Sequence, residues 1–268
     1  MTLQTNTLSK AEKAFAEALF KSYTSGDPLM ESAWKEQVTN DSQAYRVQEY
    51  LTGLKDEEVG GYKVSLTSAE TQKMFAADSP LYGAQVASHF LKSPATVSLQ
   101  TLMEPLVEVE LAFRAKEDLF ASDSLEELMS KTTVAGGLEV PDSRFKDWFP
   151  TLSKYMVMSD AAVGGLVVYG QEHNTNELFS STNELAEVTC ELFHNGKKVK
   201  DGVSAEVLGN PLKSLHWLVQ KLESQNKKFT AGQMVSSGTF VLPPKLTAGK
   251  WQVSFDHGLG SVTLKVTQ

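Results

Sequence analysis

Two glutamates, Glu108 and Glu110, stand one residue apart within the stretch Glu104–Phe113. From Val107 onward the stretch alternates apolar and polar with period two, which predicts a strand with one buried face. Val107, Val109, Leu111 and Phe113 point one way; Glu108, Glu110 and the small Ala112 point the other. Two residues of strand rise put the glutamate Cα atoms roughly 6.5–7 Å apart. Carboxylates held that close repel unless a cation lies between them. The cation with matching chemistry is a hard divalent metal, which takes oxygen ligands. The same alternation also fits a strand whose glutamates face solvent, so these residues alone leave both readings open.

The elements that must position these groups follow from the rest of the 268-residue chain. It is long enough for one large domain, or for a large one with an appendage. Hydrophobic residues make up 41% and charged residues 22%, a globular balance that rules out a disordered chain. The net charge of -8 argues against a nucleic-acid partner. It leaves a small anionic substrate open, since a metal and a few lysines reverse the local sign. Cys190 is the only cysteine, so an intrachain disulfide and a thiolate metal cluster are excluded. Met1–Asn6 shows no basic region followed by an apolar run, and no stretch approaches a membrane span. The expectation is a cytoplasmic protein with no membrane partner.

Residues 1–58 read as a helical segment, with a capping start at Ser9 and Phe15, Leu19 and Tyr23 at helical spacing. A break falls at Ser25–Pro28 and a second helix at Gln43–Lys55. Residues 59–268 read as a mixed, mainly β domain. Strands are expected over Tyr62–Leu66, Ala95–Leu102, Val134–Val140 and Gly164–Tyr169, with a loop at Ser79–Gly83. Asn195-Gly196 marks a hairpin, Asn210-Pro211 opens a helix, and closing strands follow at Val235–Gly238, Lys250–Phe255 and Ser261–Val266.

Several collinear stretches carry a resemblance. Gly61–Thr67 (GYKVSLT) is similar to a G-W/Y-K-V-G-L-T motif, and Glu108-Val109-Glu110 to E-x-E. Glu139–Trp148 (EVPDSRFKDW) is similar to E-V/I-x-x-S-R-x-x-D-W, and Asp160-Ala161-Ala162 to D-N-A. Leu208–Leu212 with Trp217-Leu218, Ser237-Gly238 and Gly258–Val262 complete the set. Together they resemble the fumarylacetoacetate hydrolase superfamily, in its branch of 2-oxopent-4-enoate hydratases and 4-oxalocrotonate decarboxylases. That resemblance implies an α+β fold, a mixed β-roll, and a Mg²⁺ or Mn²⁺ ion held by Glu108, Glu110 and Glu139. It also implies a homo-oligomer and association with a partner lyase or decarboxylase.

The implied chemistry is that of a lyase acting on small 2-oxo or 2-hydroxydienoic acids. The metal polarises the 2-oxo group and stabilises an enolate. Lys63, inside an apolar strand, is the candidate catalytic residue, with a pKa lowered by burial; the alternative is a lysine snorkelling to solvent. Asp160, Ser237 and Gly238 are candidate substrate-binding residues. Two departures weigh against the hydratase proton relay: Leu81 stands where the family carries Asp, and Ala161 where it carries Asn. Decarboxylase or tautomerase chemistry on the same site, acylpyruvate C–C hydrolysis, and a catalytically reduced metal-binding partner protein are therefore the alternatives. His89, His194 and His216 read as surface or packing residues, and His257 as one that could approach the site. Trp148 and Trp217 read as core.

Overall fold

The computed structural model describes residues 7–268. Residues 1–6, which include the start of the expected helical segment and the stretch read for a leader, lie outside the described residues. Helix α1 (Lys10–Ser25) opens on a reciprocal cap. The Ser9 hydroxyl accepts from the Glu12 N–H, and the Glu12 carboxylate accepts from the Ser9 N–H. Gly26, at φ 75, closes the helix in the left-handed conformation that costs glycine least. Its buried stripe is Glu12, Phe15, Ala16, Leu19 and Ser22. Tyr23, expected on that stripe, lies on the exposed side. Helix α2 (Asp41–Leu54) is capped by Asn40 and buries Ala44, Tyr45, Val47, Gln48 and Leu51.

The remaining elements follow in chain order. They are β1 (Val59–Ser65), α3 (Ala69–Met74), β2 (Leu81–Val86), β3 (Phe90–Lys92), β4 (Ala95–Ser98) and β5 (Glu108–Ala115). Next come α4 (Leu125–Ser130), β6 (Thr132–Val140), α5 (Lys154–Ser159), β7 (Leu166–Tyr169), β8 (His173–Asn174) and α6 (Thr175–Leu178). The chain closes with β9 (Thr189–His194), β10 (Lys197–Val203), α7 (Pro211–Ser224), β11 (Met234–Ser236), β12 (Gly249–Phe255) and β13 (Ser261–Thr267). Among the described residues no helix is long and apolar enough to cross a membrane.

The strands form two mixed sheets, as an α+β β-roll requires. The larger has eight strands in the order β2-β1-β11-β5-β6-β7-β3, with β8 also on β6; the smaller has the order β10-β9-β12-β13-β4. Pairing is antiparallel except for β1–β11, β3–β7 and β13–β4. Asn195 (φ 50) and Gly196 (φ 79) make the tight turn between β9 and β10 that the dipeptide predicts. The sheets meet where Phe255 of β12 lies against Gly136 of β6; a Cβ on Gly136 would come within 2.3 Å of that ring.

Three differences from the sequence reading bear on the site. Ser79–Gly83 is not simply a loop: β2 starts at Leu81, because Leu81 and Tyr82 are buried and Gly83 pairs with Lys63. Gly83 also lies against the Ala161 carbonyl, too close for any side chain. The stretch Ala95–Leu102 is extended only to Ser98, after which a 3-10 turn takes over. The helical segment also shares the β domain's core, since the Phe15 ring sits 5.1 Å from Trp34 and 6.2 Å from Phe145. Gln48 binds it to the sheet, donating to the carbonyls of Tyr82 (3.0 Å) and Met158 (2.7 Å) and accepting from the Ala84 N–H (3.0 Å).

Candidate metal centre

Register builds the site. Residues paired directly across a ladder share a sheet face, as do residues two apart on one strand. Glu108 of β5 pairs with Glu139 of β6, and Glu110 pairs with Gly137. Ala112 pairs with Ala135 of β6 and with Ser236 of β11, and Ser236 pairs with Lys63 of β1. One face of the large sheet therefore carries three carboxylates and one ammonium. Gly137, Ala112 and Ala135 beside them leave room for the long side chains. The opposite face, with Val109, Leu111 and Leu138, belongs to the core.

The face carrying the glutamates is not solvated. Glu110 and Glu139 are each 1% exposed and Lys63 is 2% exposed, which removes the solvent-facing reading of the strand and the snorkelling reading of the lysine. One oxygen from each of Glu108, Glu110 and Glu139 lies within 4.8 Å of the others. Lys63 Nζ pairs with Glu139 Oε1. Glu110 is aimed by two donors to its Oε2: the Ser236 hydroxyl at 2.5 Å and the Gly238 N–H at 2.7 Å. Its Oε1, and Oε2 of Glu139, are buried with no hydrogen-bond partner among the described residues.

The electrostatics follow from that crowding. Burial pushes Glu108 up to about 7, against the pull of Lys63 and with the help of Glu139. Burial, then the charges of Glu139 and Glu108, hold Glu110 well above the ordinary carboxylate range. Burial alone would lower Lys63, as the sequence reading expected. Its three carboxylate neighbours outweigh that effect and raise it, so it is an ammonium. With all three carboxylates ionised, one ammonium would leave a deficit of two positive charges, which is why Glu108 and Glu110 hold their protons so strongly when no cation is there. Two oxygens of the cluster are buried without partners. An all-oxygen divalent cation fits both the charge and the donor set.

Lys63 and Glu108 also line a small cavity of about 50 Å³. Its other walls come from the Leu66–Phe75 segment, from Pro141, Trp148 and Phe149, from Val157 and Val163, and from Thr239 and Pro243. Trp148, read as core from the sequence, is thus 4% exposed and a cavity wall as well. Its Nε1–H donates to the Glu104 carbonyl at 2.9 Å, while the Glu104 carboxylate accepts from the Asp147 N–H at 3.1 Å.

The remaining candidates are more distant from the carboxylates or already engaged. Both oxygens of Asp160 are taken: Oδ1 by Arg144 Nε (2.7 Å), and Oδ2 by the Arg144 N–H (2.9 Å) and the Ser143 hydroxyl (3.1 Å). The Ser237 hydroxyl donates to the Leu111 carbonyl at 2.7 Å. Gly238, at φ 120, packs on Thr67 and spends its N–H on Glu110. Leu81 pairs with Ser65, which puts position 81 on the Lys63 face. Ala161, Ala162 and Val163 form a left-handed turn at φ 50, 57 and 50. Ala161 presents its carbonyl to Gln85 Nε2 at 3.2 Å. His89 is buried rather than superficial, between Tyr23 and Gln85, and burial pushes it down to about 3. His257 packs on Phe179 and pairs with Asp256, outside the cavity lining. The sequence reading missed Ser236. Its signal was the small polar residue next to Ser237 in a strand destined to lie between β1 and β5.

No family model matches the chain. It is 31% identical over 233 residues to a 2-keto-4-pentenoate hydratase from Burkholderia vietnamiensis, covering 84% of this chain and 86% of that one. It is 28% identical, with the same coverage, to a 2-hydroxyhexa-2,4-dienoate hydratase from Comamonas testosteroni. Among solved structures, 4-oxalocrotonate decarboxylase from Pseudomonas putida G7, complexed with magnesium and adipate, superposes with a TM-score of 0.87. That match has 23% identity over 97% of this chain and 99% of the other. Register, buried carboxylates and sequence identity converge, and the chain belongs to the fumarylacetoacetate hydrolase superfamily, among the relatives of the 2-keto-4-pentenoate hydratases.

Proposed function

We propose that this protein is a divalent-metal-dependent hydratase of small 2-oxo and 2-hydroxydienoic acids, with Mg²⁺ or Mn²⁺ held by Glu108, Glu110 and Glu139. The observation that carries the reading is the carboxylate triad, half-buried at Glu108 and fully buried at Glu110 and Glu139 with two partnerless oxygens, beside a lysine that lines a cavity. When bound, the cation supplies Lewis-acid polarisation of a 2-oxo group and balances negative charge that develops next to it. The chain's own residues do the rest. Lys63 Nζ, an ammonium fixed on Glu139, meets an anionic substrate oxygen at the cavity and carries the proton that moves there. Ser236 and Gly238 hold Glu110 in one orientation, so no reorganisation is needed when charge develops. The apolar walls exclude bulk water and strengthen each of these interactions.

In this reading Asp160, Ser237 and Gly238 serve substrate binding by fixing what surrounds it: Arg144, the Leu111 strand and Glu110. A decarboxylase is the second reading, and Leu81 is the observation that favours it, because its side chain cannot relay a proton. A homo-oligomer able to associate with a partner lyase completes the proposal and rests on the family resemblance. The test is a product assay on Mn²⁺-loaded protein. With 2-hydroxypenta-2,4-dienoate the expected product is 4-hydroxy-2-oxopentanoate, abolished by chelator. Release of CO₂ from 4-oxalocrotonate without any hydration would transfer the assignment to the second reading.

A further inference from the structure

The cavity beside Lys63 is asymmetric in its chemistry. Its charged lining is Lys63 and Glu108, and Ser65 and Thr67 stand next to Lys63 on and just after β1. Elsewhere the walls are apolar: Leu66, Phe75, Trp148, Phe149, Val157 and Val163. Three of these form one aromatic cluster, with Phe149 lying 6.4 Å from Phe75 and 5.4 Å from Trp148 between ring centroids. The hydroxyls on this side are already committed, Thr71 donating to the Ser68 carbonyl and Thr239 to that of Val241. Among the described residues, Lys63 is the one cation in the lining, and Glu139 already holds it.

We infer that Phe75, Trp148 and Phe149 set the specificity of the site, selecting 2-oxo monoacids with a short apolar tail and rejecting acids with a second, distal carboxylate. This rests on the function proposed above and narrows its substrate class. A distal carboxylate placed against these rings would lose its hydration and find no counter-charge, and Glu108 would repel it. An apolar tail would instead bury its surface against the rings. The volume of about 50 Å³ holds only a handful of water-sized groups, which suits a short chain.

The matched pair that tests this is 2-oxopentanoate and 2-oxoglutarate, equal in chain length and different only in the distal group. Binding to the Mn²⁺-saturated protein is followed by calorimetry and by quenching of tryptophan fluorescence. The expected result is that 2-oxopentanoate binds at least about 100-fold more tightly. Equal affinities would overturn the inference and leave the proposed function standing. Binding of neither, with Mn²⁺ bound, would remove both. Phe149→Arg, at a half-buried position, supplies the missing cation. It should tighten 2-oxoglutarate by at least about tenfold and weaken 2-oxopentanoate. A folded variant that shifts neither affinity contradicts the role of the aromatic wall. If the variant does not fold, the wild-type ratio decides alone.

Discussion

The floor and the wall of this site are built by different means. The floor is regular sheet: Lys63 sits on β1, Glu108 and Glu110 on β5 and Glu139 on β6, with Ser236 of β11 between them, and ladder register fixes their spacing. The wall is irregular chain: the Leu66–Phe75 segment, the Trp148-Phe149 loop and the left-handed turn at Ala161–Val163. The floor concentrates charge at a cost to stability that a cation offsets. The wall stores backbone strain that neighbours such as Gln85 and Gly83 hold in place. On the proposed function, charge falls to the rigid part and shape to the irregular part.

The largest effect that sharpens this contrast comes from removing the floor's only positive charge. Lys63→Met should destabilise the metal-free protein by about 3–5 kcal/mol, because the buried Glu139 carboxylate, already crowded by Glu108 and Glu110, loses its ion-pair partner. It should also end turnover while leaving cation binding intact. Thermal unfolding with and without Mn²⁺ reads this directly, and an unchanged midpoint in the metal-free protein would contradict it.

Removing a carboxylate should do the reverse. Glu110→Gln keeps an oxygen to accept from Ser236 and Gly238 but relieves the buried repulsion. The metal-free variant should be more stable by about 1–2 kcal/mol. Its cation affinity should fall by at least about 100-fold, measured by calorimetry.

The pH dependence has a definite sign. Glu108 rises from its ordinary 4.5 to about 7 in the folded, metal-free protein. The native state then keeps a proton that the unfolded chain has lost. Metal-free stability should therefore fall as pH rises from about 4.5 through about 7, by up to about 3 kcal/mol from this group. Because a cation needs the ionised form, the midpoint gain from Mn²⁺ should be larger at pH 8 than at pH 5.5. An equal gain at both values would break the account of the floor.

The smallest effect separates wall from floor by one methyl group. Ala161 is at φ 50, where an alanine costs roughly 1–2 kcal/mol and a glycine almost nothing. Ala161→Gly should thus be neutral or stabilising by up to about 0.5 kcal/mol in chemical denaturation, after the added freedom of the unfolded chain is counted. Ala135→Gly, in the extended backbone of β6, should cost about 1 kcal/mol or more.

The same division governs what could be read from the sequence. Alternation over Val107–Phe113 marked β5, Asn195-Gly196 marked the β9–β10 hairpin, and Ser9 with Glu12 marked the start of α1, because each is a local preference that tertiary packing did not override. The glutamate pair was legible as a chemical oddity, and Glu139 entered only through the family resemblance, since no local rule ties a residue on β6 to one on β5. Whether the pair faced solvent was not legible: period-two alternation looks the same when loops cover the polar face. Ser236 was missed for a related reason, its role depending on β11 inserting between β1 and β5. Trp148 and the turn at Ala161–Val163 were the least legible. A tryptophan in the wall of a small cavity has a core residue's composition signal, and alanine gives no warning of a left-handed backbone.

The account turns on one placement, a single divalent cation among Glu108, Glu110 and Glu139. Anomalous diffraction from crystals soaked with Mn²⁺ locates it most directly. One strong peak within coordination distance of an oxygen from each of the three glutamates is the predicted result. A peak bound elsewhere on the chain, or no peak at the triad under saturating Mn²⁺ at pH 8, would contradict it.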